Sequence, residues 1–151
     1  MTIYHERLWA SPWVFIATVL VIPASILVFL PINQIAGPAV GVALYAAILV
    51  LIAIGSPTID VTAEMLVAGR ARLPLSFVGS VTGYRNDEAT EQRGTQLDAR
   101  AWLMIRGWVS PVVRIDISDP DDPTPYWVIS TRNPDALVKA IVGAQANQAA
   151  V

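Results

Sequence analysis

The chain has no cysteine and a single histidine, His5. The first absence excludes disulfides, thiolate metal sites and cysteine nucleophiles. The second leaves no imidazole base anywhere beyond the N-terminal segment. No G-x-S-x-G, P-loop or G-x-G-x-x-G occurs, so the common acyl-transfer and nucleotide-binding signatures are missing. Charge is scarce as well: only 15% of the residues are Asp, Glu, Lys or Arg. None of these, and no histidine, lies between Trp13 and Ile59. The formal net charge is −2. A mildly acidic chain is a poor partner for nucleic acid, whose binding needs a positive surface.

The uncharged stretch is filled by two apolar runs, Trp13–Leu30 and Ile35–Ile54. As helices they would be ~27 Å and ~30 Å long, the thickness of a bilayer's hydrocarbon core. Only Pro31-Ile32-Asn33-Gln34 separates them, so the helices must run antiparallel. Neither run shows the polar face that a helix on a soluble core presents. The pattern predicts a transmembrane helical hairpin, with the lipid bilayer as its first partner. The rival readings are a hairpin buried in a soluble core and a cleaved signal peptide. Glu6 and the length of the first run argue against the signal peptide. Ser11-Pro12 is a good helix start. Pro23 should kink the first span, because it removes a backbone hydrogen bond. Gly37 and Gly41 form a G-x-x-x-G that allows close packing on the first helix or on a partner, and such spacing also arises from composition alone. With no ionisable residue inside the spans, a transport pathway is not indicated.

Residues 1–12 read as a short cytoplasmic tail. Tyr4, Trp9 and Trp13 suit an interfacial aromatic belt, and Arg7 can reach the headgroups. The loop between the spans is uncharged, whereas Arg7, Arg70 and Arg72 flank them on one side. The positive-inside rule then places both termini in the cytoplasm, on a multi-pass protein of the cell's inner membrane.

After Gly55-Ser56-Pro57 the periodicity changes. Thr58–Thr62 alternates, and short strands follow in Glu64–Gly69 and Ala71–Leu75. Ser76–Tyr84 reads as a strand or a helical turn. Arg85–Arg100 is polar and nearly free of apolar residues, the pattern of a long mobile loop. Ala101–Trp108, Pro111–Ser118 and Pro125–Thr131 are β-like, with Asp119–Pro125 as a turn. Asn133 then caps a helix with Pro134 in its first position. Leu137, Val138, Ile141 and Val142 supply its apolar face, while Asp135, Lys139 and Gln145 can face water. The reading is therefore a membrane α-helical hairpin (13–30 and 35–54), then a small mainly-β domain with one C-terminal α-helix (134–143). That domain spans 55–143, and a frayed tail covers 144–151. Short strands with a regular turn rhythm suggest a partly open barrel or sandwich, its open end plugged by the helix.

Asp119–Pro134 reads DPDDPTPYWVISTRNP. It resembles the pattern D-P-x-D-P-T-P-Y-W-x-x-S-T-R-x-P of an actinobacterial two-span membrane protein family of unknown function. The two-span start matches as well, so the resemblance covers most of the chain and implies no activity. The soluble part looks like the bacterial pleckstrin-homology-like (PH-like) domains of small membrane proteins, a likeness of architecture only.

Three groups of polar residues merit attention. Ser130, Thr131, Arg132 and Asn133 lie where the last strand meets the last helix, and free backbone N–H groups there attract anions. Asp116, Asp119, Asp121 and Asp122 offer oxygen ligands for a divalent cation, but Pro120 and Pro123 interrupt them and the calcium-loop spacing is absent. A strand-joining turn with solvated acids is the simpler reading. Arg70, Arg72, Arg106 and Arg114 would make a basic patch facing the membrane. Against attraction to anionic headgroups, residues beyond Ile54 count nine cationic side chains and eleven carboxylates. No cofactor is implied. The leading function is a protein-interaction module or accessory subunit at the inner leaflet, engaging a membrane or cytoplasmic protein or a second copy. The alternatives are a sensor of an anionic ligand or lipid headgroup and, third, a metal-dependent hydrolase on the Asp cluster.

Overall fold

In the computed structural model, residues 2–149 are described. The chain divides into two compact units: Trp9–Ser56, and Met1–Leu8 together with Pro57–Val151.

The first unit holds α1 (Pro12–Val19), α2 (Val21–Phe29) and α3 (Ala36–Ile54). Two helical stretches, Pro12–Phe29 and Ala36–Ile54, are long and apolar enough to cross a membrane. The expected proline effect appears one turn before Pro23. A proline ring crowds the carbonyl four residues earlier, which here belongs to Val19. The helix tightens there instead of opening: the Leu20 N–H bonds to Ala17 O (3.2 Å), and Leu20 stays right-handed at φ −61°. Hydroxyls inside the apolar helices are satisfied locally. Ser25 Oγ donates to Val21 O (2.8 Å), and Thr18 Oγ1 donates to Phe15 O (2.8 Å). Asn33 Oδ1 accepts from the N–H groups of Ile35 (2.8 Å) and Ala36 (3.3 Å), which starts α3.

Of the two occupants left open for Gly37 and Gly41, the first helix is the one in place. A Cβ on Gly37 would lie 2.8 Å from Ile26 Cα, and one on Gly41 would lie 3.0 Å from Ile22 Cα. The two backbones touch, and any side chain there must push α2 and α3 apart.

Among the described residues, the second unit has eight strands in two four-stranded sheets. Sheet A has the order β1 (Thr2–Arg7), β2 (Thr58–Thr62), β3 (Met65–Ala68), β4 (Ala71–Pro74), all antiparallel. Sheet B contains β5 (Val78–Tyr84), β6 (Trp102–Met104), β7 (Val112–Ile117) and β8 (Tyr126–Ser130), in the order β5-β7-β8-β6. Its β6–β8 pair is parallel and the others antiparallel. Between β6 and β8 the chain inserts β7 and two turns, which is the longer connection that a parallel pair requires.

Ile59, Val61, Leu66 and Leu73 of sheet A share one core with Val113, Ile115, Trp127 and Ile129 of sheet B. The α5 helix (Pro134–Ala149) adds Leu137, Ile141 and Ala144 to it. The outer face of sheet B carries a smaller cluster, in which Ala89 of α4 (Asn86–Arg93) covers Val112, Tyr126 and Val128. Every residue of β8 is consequently buried.

The structure departs from the sequence expectations in four places. The N-terminal tail is instead β1, the edge strand of sheet A. It pairs with β2 from Thr2↔Thr62 to Arg7↔Thr58. The mobile loop Arg85–Arg100 is instead α4 and an ordered turn. Its polar surface hides two inward residues, Ala89 at 0% and Gln92 at 5% exposure. Tyr126 Oη holds the turn by accepting from the Asp98 N–H (2.6 Å) and donating to Gln96 O (3.2 Å). The strand Ala101–Trp108 is only three residues long, because Ile105–Pro111 turns away to start β7. Finally, α5 continues through Gly143 and most of the supposed frayed tail to Ala149; Ala150 and Val151 lie outside the described residues. Its buried face turns with the helix, so Val142 is 50% exposed and Ala144 is buried. Gln145, expected in water, donates to Val78 O (2.7 Å).

Leu137→Ala should cost about 2–5 kcal/mol, because it empties a fully enclosed site in the core. Lys139→Ala should stay within about 0.5 kcal/mol. Thermal unfolding of the full chain in detergent measures both, and equal melting temperatures would contradict the packing of α5.

Candidate functional site

Alternation along β1 decides where its polar residues go. In a strand, successive side chains point to opposite faces. Tyr4 and Glu6 stand opposite Val61 and Ile59, both core residues, whereas His5 stands opposite Asp60. The exposed face therefore carries a His5 Nδ1–Asp60 Oδ1 contact of 2.5 Å. The inner face sends the Glu6 carboxylate to the far end of β8.

There the carboxylate meets the residues expected to bind an anion. Thr131 Oγ1 donates to Glu6 Oε2, and the Arg132 N–H donates to Glu6 Oε1 (2.9 Å). Tyr4 Oη also donates to Oε2 (2.8 Å). Thr131 Oγ1 accepts from the Asn133 N–H (3.1 Å), joining the carboxylate to the start of α5. Ser130 is fully buried, and its Oγ accepts from the Arg106 N–H (3.0 Å). Glu6 thus engages two of these donors, the Thr131 hydroxyl and the Arg132 N–H, from a segment expected to be a tail. Its only signal there is the alternation of Thr2, Tyr4 and Glu6 against Ile3, His5 and Arg7, which lacks an apolar face.

Partial burial and the neighbouring carboxylate push the Tyr4 phenol up to about 12, burial being the larger cause; the Thr131 hydroxyl opposes the shift.

Asn133 is exposed. With Arg85, Asp135, Ala136 and Lys139 it lines an open groove of about 320 Å³, across which Arg85 and Asp135 pair at 2.7 Å. The Asp cluster is turn chemistry. Asp119 Oδ1 accepts from the Asp121 N–H (3.0 Å), and Asp122 Oδ1 accepts from the Thr124 N–H (2.8 Å). Hydrogen bonds from the Thr124 side chain, the larger cause, and from its N–H lower the Asp122 carboxyl below its usual range. Asp116 accepts from Arg114 Nε (3.0 Å) and from Ser80 Oγ. Among the described residues no three His, Cys, Asp or Glu side chains converge as a metal site.

The candidate basic patch does not gather as expected. Arg114 lies on the outer face of sheet B, 3.8 Å from the centre of the Tyr126 ring. Arg70 and Arg72 are exposed around the β3–β4 turn. Arg7 ends β1, and Trp9 and Trp13 are 44% and 71% exposed.

A two-sheet β-domain whose first strand precedes an apolar helical hairpin, and whose second follows it, defines the class of this chain. Residues 3–141 match the family described as "Protein of unknown function (DUF3093)", and the chain belongs to it. No curated protein and no solved structure matches.

Glu6→Ala should cost about 1–3 kcal/mol, because it strands the Thr131 hydroxyl and the Arg132 N–H. His5→Ala removes only an exposed contact, and should cost less than about 1 kcal/mol. Chemical denaturation of the full chain measures the difference. The raised Tyr4 value also has a stability consequence: the folded state keeps a proton there that the unfolded state releases above about pH 10. The contribution is complete below about pH 10 and is lost as pH rises through about 12. Titration by tyrosinate absorbance should show this late component in the native protein and lose it in Tyr4→Phe.

Proposed function

We propose that this is an integral membrane protein. Its apolar hairpin spans the bilayer, and its β-domain is a PH-like module held at the inner leaflet. The module binds a membrane or cytoplasmic protein and serves as an interaction platform or accessory subunit. The observation that carries this reading is the pairing of β1 with β2. The chain leaves the β-domain at Leu8 and re-enters at Pro57, with the Leu8 N–H bonded to Pro57 O (2.9 Å). A segment that departs and returns through neighbouring strands crosses the bilayer an even number of times. Both termini and the whole domain then share one side. The arginines flanking the apolar helices support the cytoplasm as that side. The composition of the two spans, free of ionisable groups, supports anchoring over transport.

A topology reporter fused after Val151 and, separately, before Met1 should read cytoplasmic in both cases. Opposite readings for the two fusions would refute the paired-strand anchor. A photo-crosslinking residue at exposed Leu103, on the short edge strand β6, should then trap one stoichiometric partner in native membranes. A diffuse set of adducts would count against the module.

A further inference from the structure

Alternation sorts sheet A into two faces. Ile59, Val61, Leu66, Ala68 and Leu73 point inward and are buried. The opposite face is covered by neither helix of this unit: α5 packs into the inner core, and α4 lies on the outer side of sheet B. One row crosses this outer face in direct register. His5 stands opposite Asp60, Asp60 opposite Val67, and Val67 opposite Arg72. The row thus carries an acid on β2, a half-buried apolar side chain on β3 and a cation on β4. Asp60 Oδ1 is held by His5 Nδ1 at 2.5 Å, which leaves Oδ2 as a second acceptor, and the Asp60 side chain is 29% exposed. Arg72 is exposed and makes no ion pair among the described residues. Asp60 and Arg72 stand two strands apart, about 10 Å at the backbone, with Val67 between them.

Such a row is complementary to itself. Rotation by half a turn about an axis parallel to the strands, passing over β3, sets Val67 on Val67 of a second copy. The same operation places Asp60 of each copy opposite Arg72 of the other. Two ion pairs then flank an apolar centre, the pattern of an isologous interface. Sheets packed face to face lie about 10 Å apart with nearly aligned strands, a gap that an arginine side chain can bridge. The other charges of this face fall outside the overlap. His5 and Arg7 belong to β1, which projects past β4 of the second copy. Arg70 lies beyond the last paired residues, Ala68 and Ala71, and Glu64 lies in the β2–β3 turn at the other end.

The chain leaves and re-enters this sheet at one end, where Arg7 pairs with Thr58. An axis parallel to the strands keeps that end on the same side in both copies, as two chains anchored in one membrane require. Antiparallel pairing of two β1 edges needs an axis normal to the sheet, which would send the two hairpins in opposite directions. The membrane reading above, on which this step rests, therefore favours the face over the edge.

We propose that the outer face of sheet A is a docking surface for a second copy of this chain, with Asp60 and Arg72 paired reciprocally about a twofold axis at Val67. The overlapping strands β2, β3 and β4 have only five, four and four residues. Their shared face is smaller than the roughly 800 Å² per partner of a standard interface. Confining two hairpins to one bilayer raises their effective concentration and offsets the small area. The dimer leaves Leu103, on the β6 edge of sheet B, open to a different partner.

The chain lacks cysteine, so one introduced thiol reports on one position. The full chain carrying V67C is reconstituted in phosphatidylcholine vesicles and treated with a short bis-maleimide. The expected product has twice the chain mass and persists when excess lipid dilutes the protein. K139C, exposed on α5, should give none. Added to V67C, D60R alone or R72D alone should lower the yield several-fold, because like charges then face each other. Mixing the D60R chains with the R72D chains should restore it, since each supplies the charge that the other lacks. Restoration also shows that both variants fold. Absence of the V67C product, an equal product from K139C, or a yield indifferent to the charge reversals would overturn the proposal. So would loss without restoration in variants that keep the unfolding transition of the unsubstituted chain, or a V67C adduct with a different protein in native membranes. An alkaline carbonate wash reports separately on the membrane reading: release of the chain would refute insertion, whereas retention without the V67C product would refute only the dimer.

Discussion

Pairing between β1 and β2 is the constraint on which the rest of the molecule depends. Five core positions of sheet A come from β2, β3 and β4, yet the edge that covers β2 is supplied by residues made before the apolar hairpin. Ordinarily such a closure must overcome the entropy of a long intervening loop. Here that segment is itself a helical hairpin, whose antiparallel halves return the chain to where it started. The Gly37 and Gly41 contacts hold those halves together at backbone distance.

The Glu6 carboxylate carries this coupling into the C-terminal part of the domain. It joins the first strand to the start of α5 through Thr131 and the Arg132 backbone. Two of its donors, the Thr131 hydroxyl and the Arg132 N–H, lie just ahead of Pro134, where α5 begins. The Asp119–Asp122 segment follows similar logic: side-chain oxygens that resemble a cation site are engaged in capping their own turn.

Layering accounts for the polar segment that proved to be ordered. Sheet B is covered on its inner face by sheet A and α5, and part of its outer face is covered by α4. Such an outer helix needs little apolar surface of its own. Ala89 closes against Val112, Tyr126 and Val128, and Gln92 faces Arg114, which itself lies over the Tyr126 ring. A helix of this kind has a mean composition indistinguishable from a solvated loop.

Local patterns were sufficient wherever one segment carries its own physical signature. The two apolar helices follow from the run of uncharged residues, and the break near Pro23 from a missing N–H. The start of α5 at Pro134 follows from its turn chemistry, and β2 and β7 from period-two alternation. Only the tertiary structure could decide what depends on a distant partner. Thr2–Arg7 has no apolar stripe and becomes a strand because β2 offers an edge. Asn86–Arg93 becomes an ordered helix because sheet B has an uncovered face. Ala144 and Gln145 are assigned to the core side of α5, and Val142 to solvent, by the direction in which the sheets present their surface. The donors around Thr131 meet Glu6 rather than solvent because β1 lies beside β2. Amino-acid sequence sets periodicity, charge and turn preference along the chain; the pairing of residues far apart in it is set by which apolar faces and backbone edges remain to be covered.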